Sequence, residues 1–247
     1  MSDDESNQLK SRKVGGDDLI EDMFGLNLRG LKTLWVMFAS PRKGYEAARS
    51  PDWMDRSYTP SIRLLFSLLA VMTAVRFLWA GADSSMYELI EVQLASMELF
   101  ETEEALQDAT ETIINYYLLL FPFSFMLFQS IAALLLPIWG KGTNAIVRVR
   151  LYMLALLPNG LATLFMLPAM KFMTAEEMLK YSFAMMSVTL VLDFITSYRG
   201  GVSGERAVRV MESGLFAVSS NVTGMIANSL CIMVASMIAG RVMGLGS

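Results

Sequence analysis

Two ionisable side chains, Arg76 and Asp193, lie inside long apolar stretches of the sequence and are the first candidates for chemistry. Exposing such a charge to lipid costs about 2.5 kcal/mol or more, so it usually faces a partner or a polar path. Counting about 1.5 Å per helical residue places the two at different depths, and a direct pair would need a broken or tilted helix. We expect Arg76 to extend outward toward the acidic segment that follows it. Asp193 is expected to face basic residues nearer its own end of the helix, namely Arg148, Arg150 or Arg199.

Carboxamide side chains also fall inside or at the edges of the apolar stretches. Amides in this position either join neighbouring helices through hydrogen bonds or line a path for a solute, and joining helices is the commoner role. We retain both interpretations for the set Asn115, Gln129, Asn159, Asn221 and Asn228.

Composition excludes several kinds of chemistry. The chain has no histidine, which removes histidine-ligated metals, histidine bases and the Ser-His-Asp triad. Its single cysteine, Cys231, can form neither an intrachain disulfide nor a cysteine zinc site. Asp193 has no second aspartate in another apolar stretch with which to form an acid–base dyad. We therefore predict no catalytic residue, no cofactor and no metal, and a protein that is not an enzyme.

The elements that carry these residues are hydrophobic helices. Apolar residues make up 54% of the chain and charged residues 18%, against roughly 25% charged in soluble domains. A helix needs about 20 residues to cross a hydrocarbon core of about 30 Å. The predicted fold is an all-α membrane protein, a bundle of about five transmembrane helices within 61–247. The five apolar stretches lie at about 61–82, 113–139, 151–170, 181–198 and 214–240.

Prolines interrupt two of these stretches. Pro122 and Pro137 fall in the second, and Pro158 and Pro168 fall in the third. Because proline removes a backbone hydrogen bond, both helices should be kinked or broken, with neighbouring groups satisfying the freed carbonyls. The fourth stretch is diluted by serine, threonine and Asp193, so it needs partner helices to stay inserted.

Charge is unevenly distributed among the connections. Lysine and arginine are concentrated before the first stretch and in the second and fourth connections. The first connection, 83–112, has nine acidic residues and no basic one. Because short segments rich in lysine and arginine stay in the cytoplasm, the alternation predicts five spans with a cytoplasmic N-terminus and an external C-terminus.

The N-terminal arm divides into a tail and an interfacial segment. Residues 1–20 are polar and charged, which predicts a disordered cytoplasmic tail. Within the segment 21–60, apolar residues at helical spacing predict a helix that Asn27 caps and Pro41 ends. That helix either lies on the bilayer surface or packs on the rest of the protein. Basic and aromatic residues after it favour anionic lipid, and no nucleic-acid recognition module accompanies them.

Small residues form two rows on the fifth apolar stretch. Such rows let helix backbones approach closely, either inside one bundle or at an interface with a second copy or a partner protein. The first row is Ala227, Cys231, Ala235 and Ala239, and the second is Ser236, Gly240 and Gly244.

The layout resembles a known family of membrane proteins. The segments TLWVMFASPRKGYEAARS (33–50) and YTPSIRLLFSLLAV (58–71), a cytoplasmic arm, five spans and a short external tail look like the Yip family and bacterial multi-pass membrane domains of unknown function. The resemblance implies a bacterial cell (inner) membrane location. Eukaryotic Yip proteins interact with Rab GTPases, but their tyrosine-glycine-proline motif is absent here, so Rab binding is not expected.

Two functions follow from these features. The first is a non-catalytic scaffold, adaptor or accessory subunit of a membrane complex, with the lipid bilayer and a protein partner or second copy as its contacts. The alternative is a small-solute or ion transporter or channel that uses the intramembrane polar residues and the proline-broken spans.

Overall fold

The computed structural model describes residues 28–53, 57–79, 84–97, 100, 102–136, 138–139, 142–201 and 205–242. Every regular element in these ranges is an α-helix, which confirms the predicted all-α class. The predicted tail, Asn27, Pro137 and Gly244 lie outside the described residues. In chain order the helices are α1 (Leu28–Ala39), α2 (Pro41–Arg49), α3 (Ser61–Trp79), α4 (Ser85–Ala95), α5 (Glu103–Leu135), α6 (Ala145–Ala155), α7 (Leu157–Met170), α8 (Ala175–Gly200) and α9 (Arg206–Val242).

Five segments are long and apolar enough to cross a membrane, as the sequence predicts. They are Ser61–Leu78, Glu103–Leu135, Ala145–Met170, Glu176–Gly200 and Arg206–Val242. The second begins about ten residues before the predicted stretch, because the Thr102 side chain accepts a hydrogen bond from the Ala105 amide and caps an acidic first turn. The acidic connection is thus partly helix.

Prolines affect the spans differently. The helix α5 continues through Pro122. The third span is divided at Leu156 into α6 and α7, with Pro158 in the first turn of α7, where its missing amide is least costly. The predicted interruption is therefore confirmed for the third span. Residues 151–158 around this break are buried on all sides, so this segment lies at the centre of the bundle.

The outward faces of the long helices are apolar. On α5, Leu119, Phe123 and Leu127 follow one another every four residues and are about 60% exposed, at 62%, 59% and 59%. The opposite face of the same helix, with Leu118 and Phe121, is buried. A continuous apolar exterior is stable against hydrocarbon and costly against water, which supports insertion in a bilayer.

The described helices run in alternating directions and so give the bundle two ends. The basic end is defined by Arg148, Arg150, Arg199 and Arg209, and the arm helices α1 and α2 pack there. Arg150 donates to the Ser50 carbonyl (3.3 Å), and the Arg209 guanidinium lies 5.8 Å from the Tyr198 ring centre. The acidic end is defined by α4 and the first turn of α5. There Ser85 donates to the Met170 carbonyl (3.1 Å), and Tyr87 donates to the Gln107 carbonyl (3.3 Å).

An aromatic cluster closes the basic end. Tyr45 of α2 meets Trp139 edge to face at 5.3 Å between ring centres, and Phe216 contacts both Trp139 (5.9 Å) and Tyr152 (5.0 Å). All four side chains are buried. Burial raises the pKa of the Tyr45 hydroxyl above its usual range, so the phenol stays neutral. The arm is therefore an integral part of the fold.

Helix α1 presents apolar side chains in two directions. Leu34 and Met37 are buried against the rest of the protein, whereas Leu28, Leu31 and Trp35 are 68%, 56% and 70% exposed. One face of the helix therefore packs on the rest of the protein, and Pro41 starts α2 directly after α1 ends. The exposed strip suits the headgroup region of a bilayer, so the same helix can also contact lipid.

Removing the Arg199 side chain is expected to loosen the arm. Arg199 donates to the carbonyls of Phe38 and Ala39, both at 2.8 Å, and so satisfies the last carbonyls of α1 with a positive charge. We expect Arg199→Gln to destabilise arm docking by about 0.5–1 kcal/mol and to raise the rate of proteolytic cleavage within the arm. Arg206→Gln changes an exposed arginine near the same end and serves as the matched control. Equal cleavage rates in both variants would contradict the assignment.

Candidate functional site

The bundle forms a partly open cavity of about 550 Å³. Each of the five spans contributes to its wall, through residues such as Met72, Phe121, Thr163, Met186 and Asn228, and α4 covers part of it. Its volume lies within the range of about 300–1,000 Å³ that is usual for small-molecule sites. The cavity is therefore large enough for an organic ligand.

One face of α3 forms a wall of this cavity. Leu65, Leu69, Met72 and Arg76 all line it, at intervals of three or four residues that place them on one side of a helix. The first three side chains are apolar, and the fourth, toward the acidic end, is a cation. The wall thus changes from apolar to charged along the helix axis.

Arg76 begins a chain of hydrogen bonds across the bundle. Its Nη1 donates to the Tyr117 hydroxyl at 2.9 Å, and that hydroxyl donates to Asn228 Oδ1 at 2.7 Å. The guanidinium also lies 5.1 Å from the centre of the Phe121 ring, within the range of a cation–π contact. Helices α3, α5 and α9 are joined at this level by one charged and two neutral polar groups.

A second polar network surrounds Asp193, which is fully buried. Its Oδ2 accepts hydrogen bonds from Ser220 (2.6 Å), Asn159 (3.0 Å) and Asn221 (3.5 Å). The other oxygen, Oδ1, has no hydrogen-bond partner among the described residues. Asn159, Asn221 and Ser220 line the cavity, whereas Asp193 lies behind them. The carboxylate therefore fixes cavity-lining groups without itself forming the wall.

Outer members extend the Asp193 network to neighbouring helices. Thr189 donates to Asn221 Oδ1 at 3.0 Å, and Thr163 donates to Asn159 Oδ1 at 3.3 Å. Gln129 Nε2 donates to the Ser220 carbonyl at 3.0 Å. Helices α5, α7, α8 and α9 are held in register at one depth. The polar side chains of the fourth span thus find their partners on neighbouring helices.

The predicted partners of both charges are wrong. Asp193 bonds hydroxyl and amide groups, and no ion pair joins it to a lysine or arginine in the described part of the chain. The three arginines expected near it bond backbone carbonyls at the basic end instead. Arg76 stays half-buried and bonds Tyr117 rather than extending toward acidic side chains. Both side chains have neutral hydrogen-bond partners at their own depth, so neither has to extend to a charged partner at another depth.

Four of the five candidate amides line the cavity, and one does not. Gln129, Asn159, Asn221 and Asn228 all line the cavity. Asn115 is exposed on α5 and lies apart from it. Sequence reasoning missed Ser220, Thr163 and Thr189, because serine and threonine hydroxyls in membrane helices usually bond their own backbone and give no distinguishing signal. It also missed Tyr117, whose partners Arg76 and Asn228 are on other helices.

The first small-residue row packs inside the chain. Ala227, Cys231, Ala235 and Ala239 are all buried, and α9 makes its most extensive contact with α5. The Cys231 thiol lies 3.5 Å from the Tyr117 carbonyl, so the row brings α9 close to the residue that holds Arg76. In the second row Ser236 and Gly240 are half-buried.

The site offers no set of metal ligands. Among the described residues no group of three histidine, cysteine, aspartate or glutamate side chains lies close enough together to hold an ion. The polar groups of the cavity are amides, hydroxyls and cations. Such groups bind and orient a ligand through hydrogen bonds and charge.

Comparisons with known proteins leave the family undetermined. No protein-family model, no curated protein and no solved structure matches this chain. The resemblance to the Yip family stays a prediction that rests on topology and on two local segments.

Proposed function

We propose that this multi-pass membrane protein binds a small organic solute within its helical bundle and belongs to the transporter class. The observation that carries this proposal is the cavity of about 550 Å³ whose wall is formed by all five spans. A scaffold needs only its outer surface. An interior space with convergent polar groups is the usual form of a ligand site.

The chemistry of the wall supports a selective site. Most lining residues are apolar, while Arg76, Tyr117 and Asn228 are joined by hydrogen bonds in one region and Asn159, Asn221 and Gln129 lie in another. Fixed donors and acceptors in a largely apolar space orient a ligand. An ionisable residue at membrane depth is costly and so supports a functional role.

The proposed orientation places the basic end of the bundle in the cytoplasm. Arg148, Arg150, Arg199 and Arg209 lie there with the arm, and the acidic connection lies at the opposite end. The tendency of basic segments to remain inside supports a cytoplasmic N-terminus and an external C-terminus. The resemblance of the sequence to bacterial membrane domains supports a bacterial inner membrane.

Filling the cavity is expected to abolish uptake. Gly224 lines the cavity, and a Cβ built there meets only ordinary contacts, 3.5 Å from Phe125 and 3.7 Å from Gln129. In vesicles containing the full chain we expect uptake of at least one solute from a radiolabelled panel of acetate, glutamate, benzoate, glucose and myristate. Gly224→Leu should then reduce that uptake by roughly tenfold or more, because the leucine occupies ligand space.

Gly214→Leu is the matched control for this experiment. Gly214 is on the same helix, does not line the cavity, and has no atom within 4 Å of an added Cβ. Uptake by this variant should equal that of the unaltered protein. Equal uptake by protein-containing and empty vesicles, together with no ligand-induced rise in melting temperature for any panel member, would reject the transporter proposal.

A scaffold role is the second candidate, and one observation favours it. A Cβ added at Gly240 meets nothing within 4 Å, so this half-buried position of α9 leaves room for another helix to approach. The buried row from Ala227 to Ala239 no longer supports an external interface, because it packs within the chain. A stoichiometric partner retained in gentle detergent would favour the scaffold role over transport.

A further inference from the structure

We propose that the cavity binds a single-chain amphiphile with an anionic headgroup, the headgroup on Arg76 and the hydrocarbon chain along the apolar face of α3. The proposal rests on the proposed function and names the ligand class of the same site. It follows from three features of the cavity wall. They are the charge of the wall, the unused hydrogen-bond donors of Arg76, and the length of the apolar part of the wall.

The first feature is the sign of the charge. Among the described residues that line the cavity, Arg76 and Lys171 are cations, and none is an aspartate or glutamate. This holds although α4, which covers part of the cavity, carries Glu88 and Glu91. Those acidic side chains face elsewhere, and the buried Asp193 carboxylate lies behind the wall among neutral donors, so the charge that the wall itself presents favours an anion.

The second feature is the unused hydrogen-bonding capacity of Arg76. A guanidinium has five N–H donors, and the described residues take one hydrogen bond from it, to Tyr117. The contact with the Phe121 ring, 5.1 Å from Cζ to the ring centre, takes up no N–H donor, so an edge of the group remains available to a ligand. Two parallel hydrogen bonds from such an edge match the oxygens of a carboxylate or a phosphate.

The third feature is the length and character of the wall below Arg76. From Leu65 to Arg76 the helix rises about 16 Å at 1.5 Å per residue. An extended chain of about 14 carbons covers this distance, because three bonds in a fully extended chain span about 3.8 Å. The opposite walls contribute flexible apolar side chains that adapt to a hydrocarbon, Met86, Met170, Met178, Met185, Met186 and Met225.

Together these features select an amphiphile over a fully hydrophilic anion. A small hydrophilic anion would bind Arg76 but would leave the apolar side chains of the wall without a contact. A neutral hydrocarbon would contact the apolar side chains but would leave the guanidinium without an anionic partner. A molecule that is anionic at one end and apolar along its length meets both requirements.

The test is equilibrium binding of radiolabelled myristate to the purified full chain in a neutral maltoside detergent. Tetradecanol has the same chain length without the charge and is expected to bind roughly tenfold or more weakly. A second arm uses myristoyl-lysophosphatidate in place of myristate. Preference for the phosphate over the carboxylate would identify a lipid headgroup as the source of the anion, and the reverse would identify a free fatty acid.

Variants locate the headgroup. Arg76→Gln is expected to weaken myristate binding by roughly tenfold or more and to leave tetradecanol binding unchanged, whereas Arg76→Lys retains the charge and part of the affinity. Arg241→Gln removes an exposed arginine at the far end of α9 that does not line the cavity, and it should bind myristate like the unaltered protein. Melting curves confirm that each variant is folded.

Several outcomes would overturn the ligand assignment. They are equal affinity for myristate and tetradecanol, unchanged myristate binding in Arg76→Gln, or an equal loss in Arg241→Gln. If Arg76→Gln does not fold, the comparison of myristate with tetradecanol on the unaltered protein still decides the question. Uptake of a panel solute that Gly224→Leu blocks, without myristate binding, would reject the amphiphile and leave the proposed function standing.

Discussion

Replacing Gly200 with alanine is expected to lower the melting temperature by about 6–12 °C, which corresponds to about 3 kcal/mol. A Cβ added at Gly200 would lie 1.9 Å from Tyr45 Cε2 and 2.5 Å from Cδ2. The Tyr45 ring is 1% exposed and is held edge to face against Trp139, so it has no room to retreat. The methyl group would therefore push α2 away from the end of α8.

Two comparisons make the Gly200 prediction specific. Gly214→Ala adds the same methyl where no atom lies within 4 Å, and it should be neutral or stabilising by up to about 1 kcal/mol because alanine favours helix. Tyr45→Leu in the Gly200→Ala background removes the ring that clashes, so the double variant should be more stable than the sum of the single effects. Additive losses, or equal melting temperatures for Gly200→Ala and Gly214→Ala, would show that close packing at Gly200 is unimportant.

The sequence predicts the spans well because each span depends on local composition. About 20 consecutive apolar residues are needed for a membrane helix, and this requirement can be counted directly. The earlier start of α5 also has a local cause, because Thr102 precedes acidic residues in the pattern of a helix N-terminus. The break at Leu156 was predicted only as a consequence of proline within the third stretch.

The partners of the buried polar groups could not be predicted, because they depend on which helix faces which. Ser67, Ser130 and Ser187 each donate to the carbonyl four residues earlier in their own helix. Ser220 is in a similar apolar context and also has a carbonyl of its own helix within reach, that of Ala217 at 3.0 Å, but it makes a shorter bond of 2.6 Å to Asp193 across the bundle. Nothing local separates it from the other three serines.

The sequence also does not decide which apolar residues of helix α1 are buried. Its apolar residues at helical spacing predicted one stripe, and the structure divides them between a buried face with Leu34 and an exposed face with Trp35. Adjacent positions on a helix are about 100° apart, so the residue spacing is consistent with both arrangements. Contact with α2 and the basic end decides between them.

The charge pattern predicts which residues lie at the basic end of the bundle, but the partners that it suggested for Asp193 were wrong. It grouped Arg148, Arg150 and Arg199 correctly at one end, where they bond carbonyls of the arm or of neighbouring loops. An intramembrane carboxylate was expected to pair with a cation, but neutral hydrogen-bond donors can also stabilise it. Three neutral hydrogen bonds to one carboxylate oxygen serve in place of an ion pair here.

Asp193→Leu is expected to reduce solute uptake by roughly tenfold or more, whereas Asp193→Asn should keep most of it. In the structure Asp193 lies behind the cavity wall, so a solute meets Asn159 and Asn221 rather than the carboxylate. Asparagine can place its carbonyl oxygen where Oδ2 accepts its hydrogen bonds, and its amide takes the position of Oδ1, which has no partner among the described residues. Leucine offers no acceptor.

The donors around Asp193 are not equally dependent on it, and this difference supplies a decisive control. Ser220 and Asn221 each have a second acceptor in the Ala217 carbonyl, at 3.0 and 2.9 Å. Asn159 Nδ2 bonds Asp193 alone among the described residues, so Asp193→Leu leaves it unsatisfied at a cost of about 1–3 kcal/mol. Adding Asn159→Leu removes the orphaned donor and should restore the melting temperature without restoring uptake. Loss of uptake in Asp193→Asn as severe as in Asp193→Leu would instead show that the charge itself takes part, and Asp193 would then act directly on the solute path.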